Sequence, residues 1–194
     1  MRLALFGGSF NPPHLSHQLA CTVVLASARP AVDELWMVPT FQHAFDKPLA
    51  PFAHRLAMCE RAARPFGGRV QVSDIEARRG GPSYTLETVR MLLAERPGAD
   101  VSVVIGADLV DERTRWHGWP ELRTLVDFIV IGRVGAPATP TPVGARDRVV
   151  GIDLPAVSST EARRLVAAGQ STAGLLDEAV RGYVDEHGLY RESA

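Results

Sequence analysis

Short apolar runs alternate with amphipathic stretches along most of the chain. Leu3 to Phe6 is an apolar run halted by Gly7-Gly8; it reads as a buried parallel strand, although periodicity alone leaves a helix open for so short a segment. Gly7, Gly8, Asn11, Pro12 and Pro13 then make a turn that no regular element continues through. Leu15, Leu19 and Val23 recur at helical spacing, which predicts a helix over about 16–28. Glu34 to Val38 reads as a second strand closed by Pro39, and 40–51 has no periodicity and reads as a loop. Phe52, Leu56, Cys59 and Ala63 predict a helix over 52–63, and the alternation over 69–73 a third strand. Residues 74–82, rich in charge and glycine, are expected to be a loop leading into Ser83-Tyr84-Thr85. Leu86, Val89, Leu92 and Leu93 mark a helix ended by Pro97-Gly98. Val101 to Ile105 is a strongly apolar strand stopped at Gly106, and two short helical pieces around Trp116 and Trp119 lead to a strand over 127–131. A proline- and glycine-rich stretch, 134–147, has the composition of a linker. A sixth strand over 149–152 and two closing helices follow, the second over about 175–186.

Strands alternating with helices imply an α/β fold: a Rossmann-like, doubly wound, mostly parallel sheet of about five to six strands with helices on both faces. The residues after the linker-like stretch are too few for a core of their own, so 1–194 is expected to be a single domain, its helical part from about 155 packed on the rest. In such sheets ligands bind beyond the carboxyl ends of the strands, where strand order reverses. Gly7 to His17, His43 with Lys47, Ser83 to Thr85, and Gly106 to Asp108 all follow predicted strands, which points to one shared site.

Composition narrows the function classes. With 46% hydrophobic and 22% charged residues and a net charge of −1, the chain has no broad basic field, so a nucleic-acid partner is not expected. No stretch approaches a membrane span, and the apolar start is too short for a signal peptide. Cys21 and Cys59 form no Cys-x-x-Cys pair and are expected to be buried free thiols in a reducing cytoplasm. Lys47 is the single lysine beside twenty arginines.

The chemistry gathers at two helix starts. His14 and His17 lie at the mouth of the first helix, where unpaired N–H groups and the dipole favour an anion such as phosphate. A structural role is the ordinary reading of any one histidine; two of them on a Gly/Pro turn after the first strand favour phosphate handling. At the second start, Ser158 with Glu161 fits a capping box, which alone accounts for both. Ser159, Thr160 and Arg163 crowd the same end, a second cradle for a polyphosphate. There is no Gly-x-Gly-x-x-Gly, no P-loop and no histidine pattern for a protein-held metal.

These residues carry a resemblance. Gly7-Gly-Ser-Phe-Asn-Pro-Pro-His-Leu-Ser-His17 resembles the first signature of the His-x-Gly-His nucleotidyltransferases, and Ser158-Ser-Thr-Glu-Ala-Arg163 their second. Glu76 to Thr85, Gly106-Ala-Asp108 followed by Trp116, His54-Arg-Leu-Ala-Met58 and the ending Val180 to Tyr190 are similar to the nicotinate (or nicotinamide) mononucleotide adenylyltransferases. The resemblance implies an enzyme of NAD biosynthesis that joins ATP to nicotinate mononucleotide and releases pyrophosphate, with Mg²⁺ arriving on ATP. It implies His14 and His17 on the ATP phosphates. It also implies that Gly7, Gly8, Ser9, Phe10, Asn11 and Gly106 shape the nucleotide's approach, with Asp108 on a ribose hydroxyl. Ser158, Ser159, Thr160 and Arg163 would hold the outer phosphates. Trp116 would stack on the pyridine beside Tyr84 and Thr85, and His43, Lys47 and Arg133 are candidates for the mononucleotide phosphate. Trp119 reads as core.

Two features depart from the family pattern. Ser16 stands where the first signature has glycine, close to where the nucleotide should approach, so Ser16→Gly is expected to leave activity intact or improve it. The 42–47 loop replaces the usual Pro-Pro-His-Lys. The rivals are a phosphopantetheine adenylyltransferase or a cytidylyltransferase on the same fold, nicotinamide mononucleotide as the acceptor, and an ATP-binding regulatory module without turnover. Sequence leaves the oligomeric state open.

Overall fold

The computed structural model of the chain describes residues 1–43, 48–135 and 147–191. Six strands form one sheet in the order β3-β2-β1-β4-β5-β6, and every pairing is parallel. They are β1 (Arg2–Gly8), β2 (Glu34–Pro39), β3 (Val70–Val72), β4 (Asp100–Gly106), β5 (Asp127–Arg133) and β6 (Arg148–Leu154). The helices are α1 (Leu15–Ser27), α2 (Phe52–Ala63), α3 (Ile75–Arg79), α4 (Thr85–Glu95), α5 (Trp119–Leu125), α6 (Ser159–Ala167) and α7 (Glu178–Glu186).

Strand periodicity sorts the core into two layers. Leu3, Leu5, Val101, Val103 and Ile105 point to the face covered by Leu86, Val89 and Leu92 of α4 and Leu122 of α5. Ala4, Leu35, Met37, Val104 and Ile129 point the other way, against Ala20 and Val24 of α1 and Cys59 of α2. Burial on both faces is why these strands read as continuous apolar runs. Both cysteines are free and buried, and burial pushes the Cys21 thiol up to about 12, far from a reactive thiolate. A third cluster joins Met58 and Ala62 of α2 to Ala162 of α6 and to Val180, Tyr183 and Val184 of α7. Each large apolar side chain there contributes about 1.5–3 kcal/mol of burial. The C-terminal helices therefore dock on α2, close to the loops at the carboxyl edge of the sheet.

The strands and main helices fall where the hydrophobic pattern puts them, and the sheet is wholly parallel. Residues 74–82 are not entirely loop: α3 forms inside them because Ile75 packs into the core while Arg78 pairs with Asp74 one turn back and with Glu95. The last helix begins at Glu178, capped by Asp177, whose carboxylate accepts from Ala179 N–H; Leu175 lies in the preceding turn. Most of the linker-like stretch, 136–146, lies outside the described residues. Among the described residues no helix is long and apolar enough to cross a membrane.

Candidate functional site

The strand order reverses between β1 and β4, and a cleft of about 830 Å³ opens at that point over the carboxyl ends of β1, β2 and β4. Gly7, Gly8, Ser9, His43, Tyr84, Thr85 and Trp116 all line it. Trp116 follows a 3₁₀ turn, Glu112–Arg115, and turns one edge to Phe128 at 6.3 Å between centroids, which fixes the indole at the cleft wall. Trp119 packs into the core near Phe128 at 5.7 Å, and Arg113 lies over both rings.

His14, His17, Asp108 and the start of α6 are not in the lining of that cleft; the two histidines sit on the turn after β1 beside it, and the start of α6 is bonded to that turn. Phe10 adopts a left-handed backbone (φ 44°), a conformation that a bulky residue holds only when its surroundings fix it. Its ring is buried at 4.8 Å from the ring of His17 and 5.6 Å from that of Phe6. Gly8 makes this packing feasible, since a Cβ there would stand 3.1 Å from the Phe10 ring. His14 stacks on His17 at 3.7 Å between centroids, and the His14 backbone N–H donates to His17 Nδ1 at 3.0 Å. A nitrogen that accepts carries no proton, so the neutral His17 ring has its proton on Nε2 and is set as a donor there.

Asn11 is the hub of the turn. It is 2% exposed, and its Oδ1 accepts from the Ala50 N–H at 3.0 Å and from the Tyr190 hydroxyl at 2.9 Å. Its carbonyl accepts from Arg163 Nη1 at 2.8 Å. The neighbouring Pro12 carbonyl accepts from the Ser159 hydroxyl at 2.8 Å, and Leu15 N–H donates to the Leu175 carbonyl at 2.9 Å. The two signature segments, about 150 residues apart in sequence, are thus bonded directly to each other. Burial pushes the Tyr190 phenol up against the opposing pull of Arg163 and Arg55, so the group stays a donor.

Ser158 is the N-cap of α6, its hydroxyl accepting from Glu161 N–H, and Glu161 pairs with Arg164 rather than with the cap. Thr160 Oγ1 accepts from Arg163 Nη2 at 3.4 Å. Asp108 is exposed just past β4 with its carboxylate folded over Gly106, where a Cβ would collide with Oδ1. Ser16 is 6% exposed and its hydroxyl donates to the Pro155 carbonyl at 2.9 Å, so this side chain ties α1 to the β6–α6 connection. Ser16→Gly removes that bond and puts glycine in a helix, at a cost of about 1–1.5 kcal/mol. Thermal unfolding is expected to shift down by about 2–6 °C, with kcat unchanged in a steady-state assay. Lys47 lies outside the described residues, as does the side chain of Arg133, which ends β5.

Two residues of the site, Glu76 and Arg55, lie within the sequence motifs, and their roles emerge only in the fold. Glu76, 7% exposed, accepts from Phe41 N–H at 3.0 Å, from Thr88 at 2.7 Å and from the Ser83 hydroxyl. It holds the loop after β2 against the start of α4. Arg55 is 1% exposed on the buried side of α2. The signal for it was present: a charged residue in the stripe formed by Phe52, Leu56, Cys59 and Ala63.

A family model described as cytidylyltransferase-like matches residues 5–165. A relative from Anaeromyxobacter dehalogenans (strain 2CP-1) named nicotinate-nucleotide adenylyltransferase is 43% identical over 192 residues, covering 97% of this chain and 96% of its own. Proteins of the same name from Myxococcus xanthus and Salinibacter ruber are 37% and 39% identical, over 98% of this chain and 95% and 98% of their own. Among solved structures, the Plasmodium falciparum nicotinic acid mononucleotide adenylyltransferase complexed with NaAD matches with a TM-score of 0.79 at 19% identity, covering 97% of each chain.

Proposed function

The chain belongs to the cytidylyltransferase-like family and to the nicotinate-nucleotide adenylyltransferases within it, and we infer that it transfers the adenylyl group of ATP to nicotinate mononucleotide. The observation that carries this reading is the joining of both signature segments at the switch point, beside a cleft walled by Trp116, Tyr84 and Thr85. The products are nicotinate adenine dinucleotide and pyrophosphate, a step of NAD biosynthesis. A phosphate oxygen of the mononucleotide forms a bond to the α-phosphorus of ATP as the bond from that phosphorus to the bridging oxygen breaks. Pyrophosphate leaves with the electron pair. The substrate is its own nucleophile, so the protein's task is to align two anions and to offset the charge that builds on the phosphorus and leaving group.

In this reading His17 donates from Nε2 to the α-phosphate, and His14, stacked on it, adds a second imidazole to the ATP phosphates. The open backbone at Gly7 admits the nucleotide, and Asp108 accepts from a ribose hydroxyl. Arg163 and the N–H groups at the start of α6 face the outer phosphates. Ser158 and Ser159 contribute by shaping that start, since their hydroxyls cap α6 and hold Pro12. Among the described residues no group of three or more His, Cys, Asp or Glu side chains is gathered as a metal cage. In this reading Mg²⁺ would arrive with ATP, held mainly by phosphate oxygens and water, and would neutralise phosphate charge. The chain acts as one catalytic domain in the cytoplasm in this reading.

Trp116 stacks on the pyridine ring, and stacking of this kind contributes about 1–3 kcal/mol. Trp116→Ala is therefore expected to raise KM for the mononucleotide by about 5- to 150-fold and KM for ATP by less than about threefold. Equal changes in both would assign the indole to packing. Pyrophosphate release on mixing ATP, Mg²⁺ and nicotinate mononucleotide tests the reaction itself. Nicotinamide mononucleotide and phosphopantetheine run in parallel test the acceptor, with the nicotinate form expected to be preferred.

A further inference from the structure

Arg55 heads the largest fully buried side chains of the described residues, and packing alone would be served as well by leucine or methionine. Burying a guanidinium costs several kcal/mol unless its donors are satisfied. Here they are satisfied in an unusual way. Nε donates to the Ala50 carbonyl at 2.8 Å, Nη1 to the carbonyls of Ser9 at 3.0 Å and Thr40 at 2.6 Å, and Nη2 to the Phe41 carbonyl at 3.4 Å. All four acceptors are backbone groups, one from the turn after β1 and three from the two ends of the connection between β2 and α2. Ser9 opens the turn after β1 that carries His14 and His17, Thr40 and Phe41 open the loop after β2, and Ala50 leads into α2. Ser9 and Thr40 both line the cleft, and a backbone bond from Thr40 N–H to the Gly8 carbonyl at 2.9 Å joins the same two strand ends. Phe41 is held from its other side, its N–H by Glu76 and Ser83.

We propose that Arg55 is a positioning residue for adenylyl transfer, fixing the turn after β1 against the loop after β2 and so setting the reach between the two reacting phosphates. The proposal rests on the adenylyl-transfer reading above. One loop carries the groups assigned to ATP, and the other borders the mononucleotide's part of the cleft. In-line attack needs the reacting atoms about 3–3.5 Å apart, and a displacement of about 1 Å costs on the order of 10²-fold in rate. A planar fork reaches both loops and four carbonyls at once; a lysine ammonium keeps the charge but loses that geometry. Each loop keeps its own contacts to its own nucleotide, so the effect falls on the joint step rather than on either binding step.

The test is Arg55→Lys. The affinities for ATP and for nicotinate mononucleotide are measured separately by calorimetry, and the binding stoichiometry counts folded sites, so that kcat per binding-competent molecule is defined even in a partly unfolded sample. The expected result is a kcat per site lower by about 30- to 100-fold with both affinities within about threefold of the wild type. A kcat within about threefold of wild type overturns the proposal. So does a loss of kcat matched by an equal loss of both affinities, including loss of all binding, since a merely structural arginine would give that. Wild-type protein that binds both nucleotides but forms no dinucleotide refutes the reaction itself, and the proposal with it.

Discussion

His17→Ala should lower kcat by about 10²- to 10³-fold, the effect of removing one donor aimed at charge that develops in a transition state. The ring is fixed from three sides, by Phe10 at 4.8 Å, Phe6 at 5.9 Å and the stacked His14 at 3.7 Å. Its Nδ1 is occupied by the His14 N–H, so the ring presents Nε2–H in one orientation. A donor fixed in advance needs no reorganisation when the phosphorus becomes five-coordinate, which is why the loss should appear in kcat more than in KM for ATP. Steady-state kinetics over both substrates checks this. Near-normal turnover in His17→Ala would remove His17 from the mechanism.

Asn11→Ala has the largest expected effect on stability. Its Oδ1 serves two donors at once, Ala50 N–H and the Tyr190 hydroxyl, in a position only 2% exposed. Alanine leaves both donors without their acceptor, and buried donors left unmade cost about 1–3 kcal/mol each. A total near 3 kcal/mol corresponds to a thermal transition lower by about 6–12 °C for a chain of this size. The turn that holds Phe10 in its left-handed conformation also loses its tie to the C-terminus, so kcat should fall as well. Differential scanning calorimetry with a kinetic assay well below the transition separates the two effects. A transition within about 1 °C of wild type would show that the Tyr190–Asn11 bond contributes little.

Much of this was legible in the sequence, because the signals were local. The strand runs, the glycine turn and the helix spacing depend on neighbours within one element, and the site falls at the ends of strands in any doubly wound sheet. The cleft wall of Tyr84, Thr85 and Trp116 follows from the same rule. What sequence does not show is which atoms a side chain spends on its own protein. Ser159 reads as a phosphate ligand from its place at a helix start, yet its hydroxyl is bonded to Pro12, 147 residues away. Ser16 reads as an intrusion on the nucleotide, but its hydroxyl is turned to Pro155. The same limit hid Glu76 and Arg55, whose roles exist only once the loops they join have been brought together. The short helix α3 was missed for a related reason: its stability comes from Ile75 in the core and from Arg78 pairing with Glu95, not from its own glycine-rich surroundings.

Direct in-line transfer makes one demand that neither a covalent intermediate nor an ATP-binding module satisfies. ATP made chiral at its α-phosphorus, incubated with the protein, Mg²⁺ and nicotinate mononucleotide, should give nicotinate adenine dinucleotide carrying that phosphorus with inverted configuration, one pyrophosphate released for each dinucleotide formed. Retention of configuration, or bound ATP with no label in a dinucleotide, would contradict it.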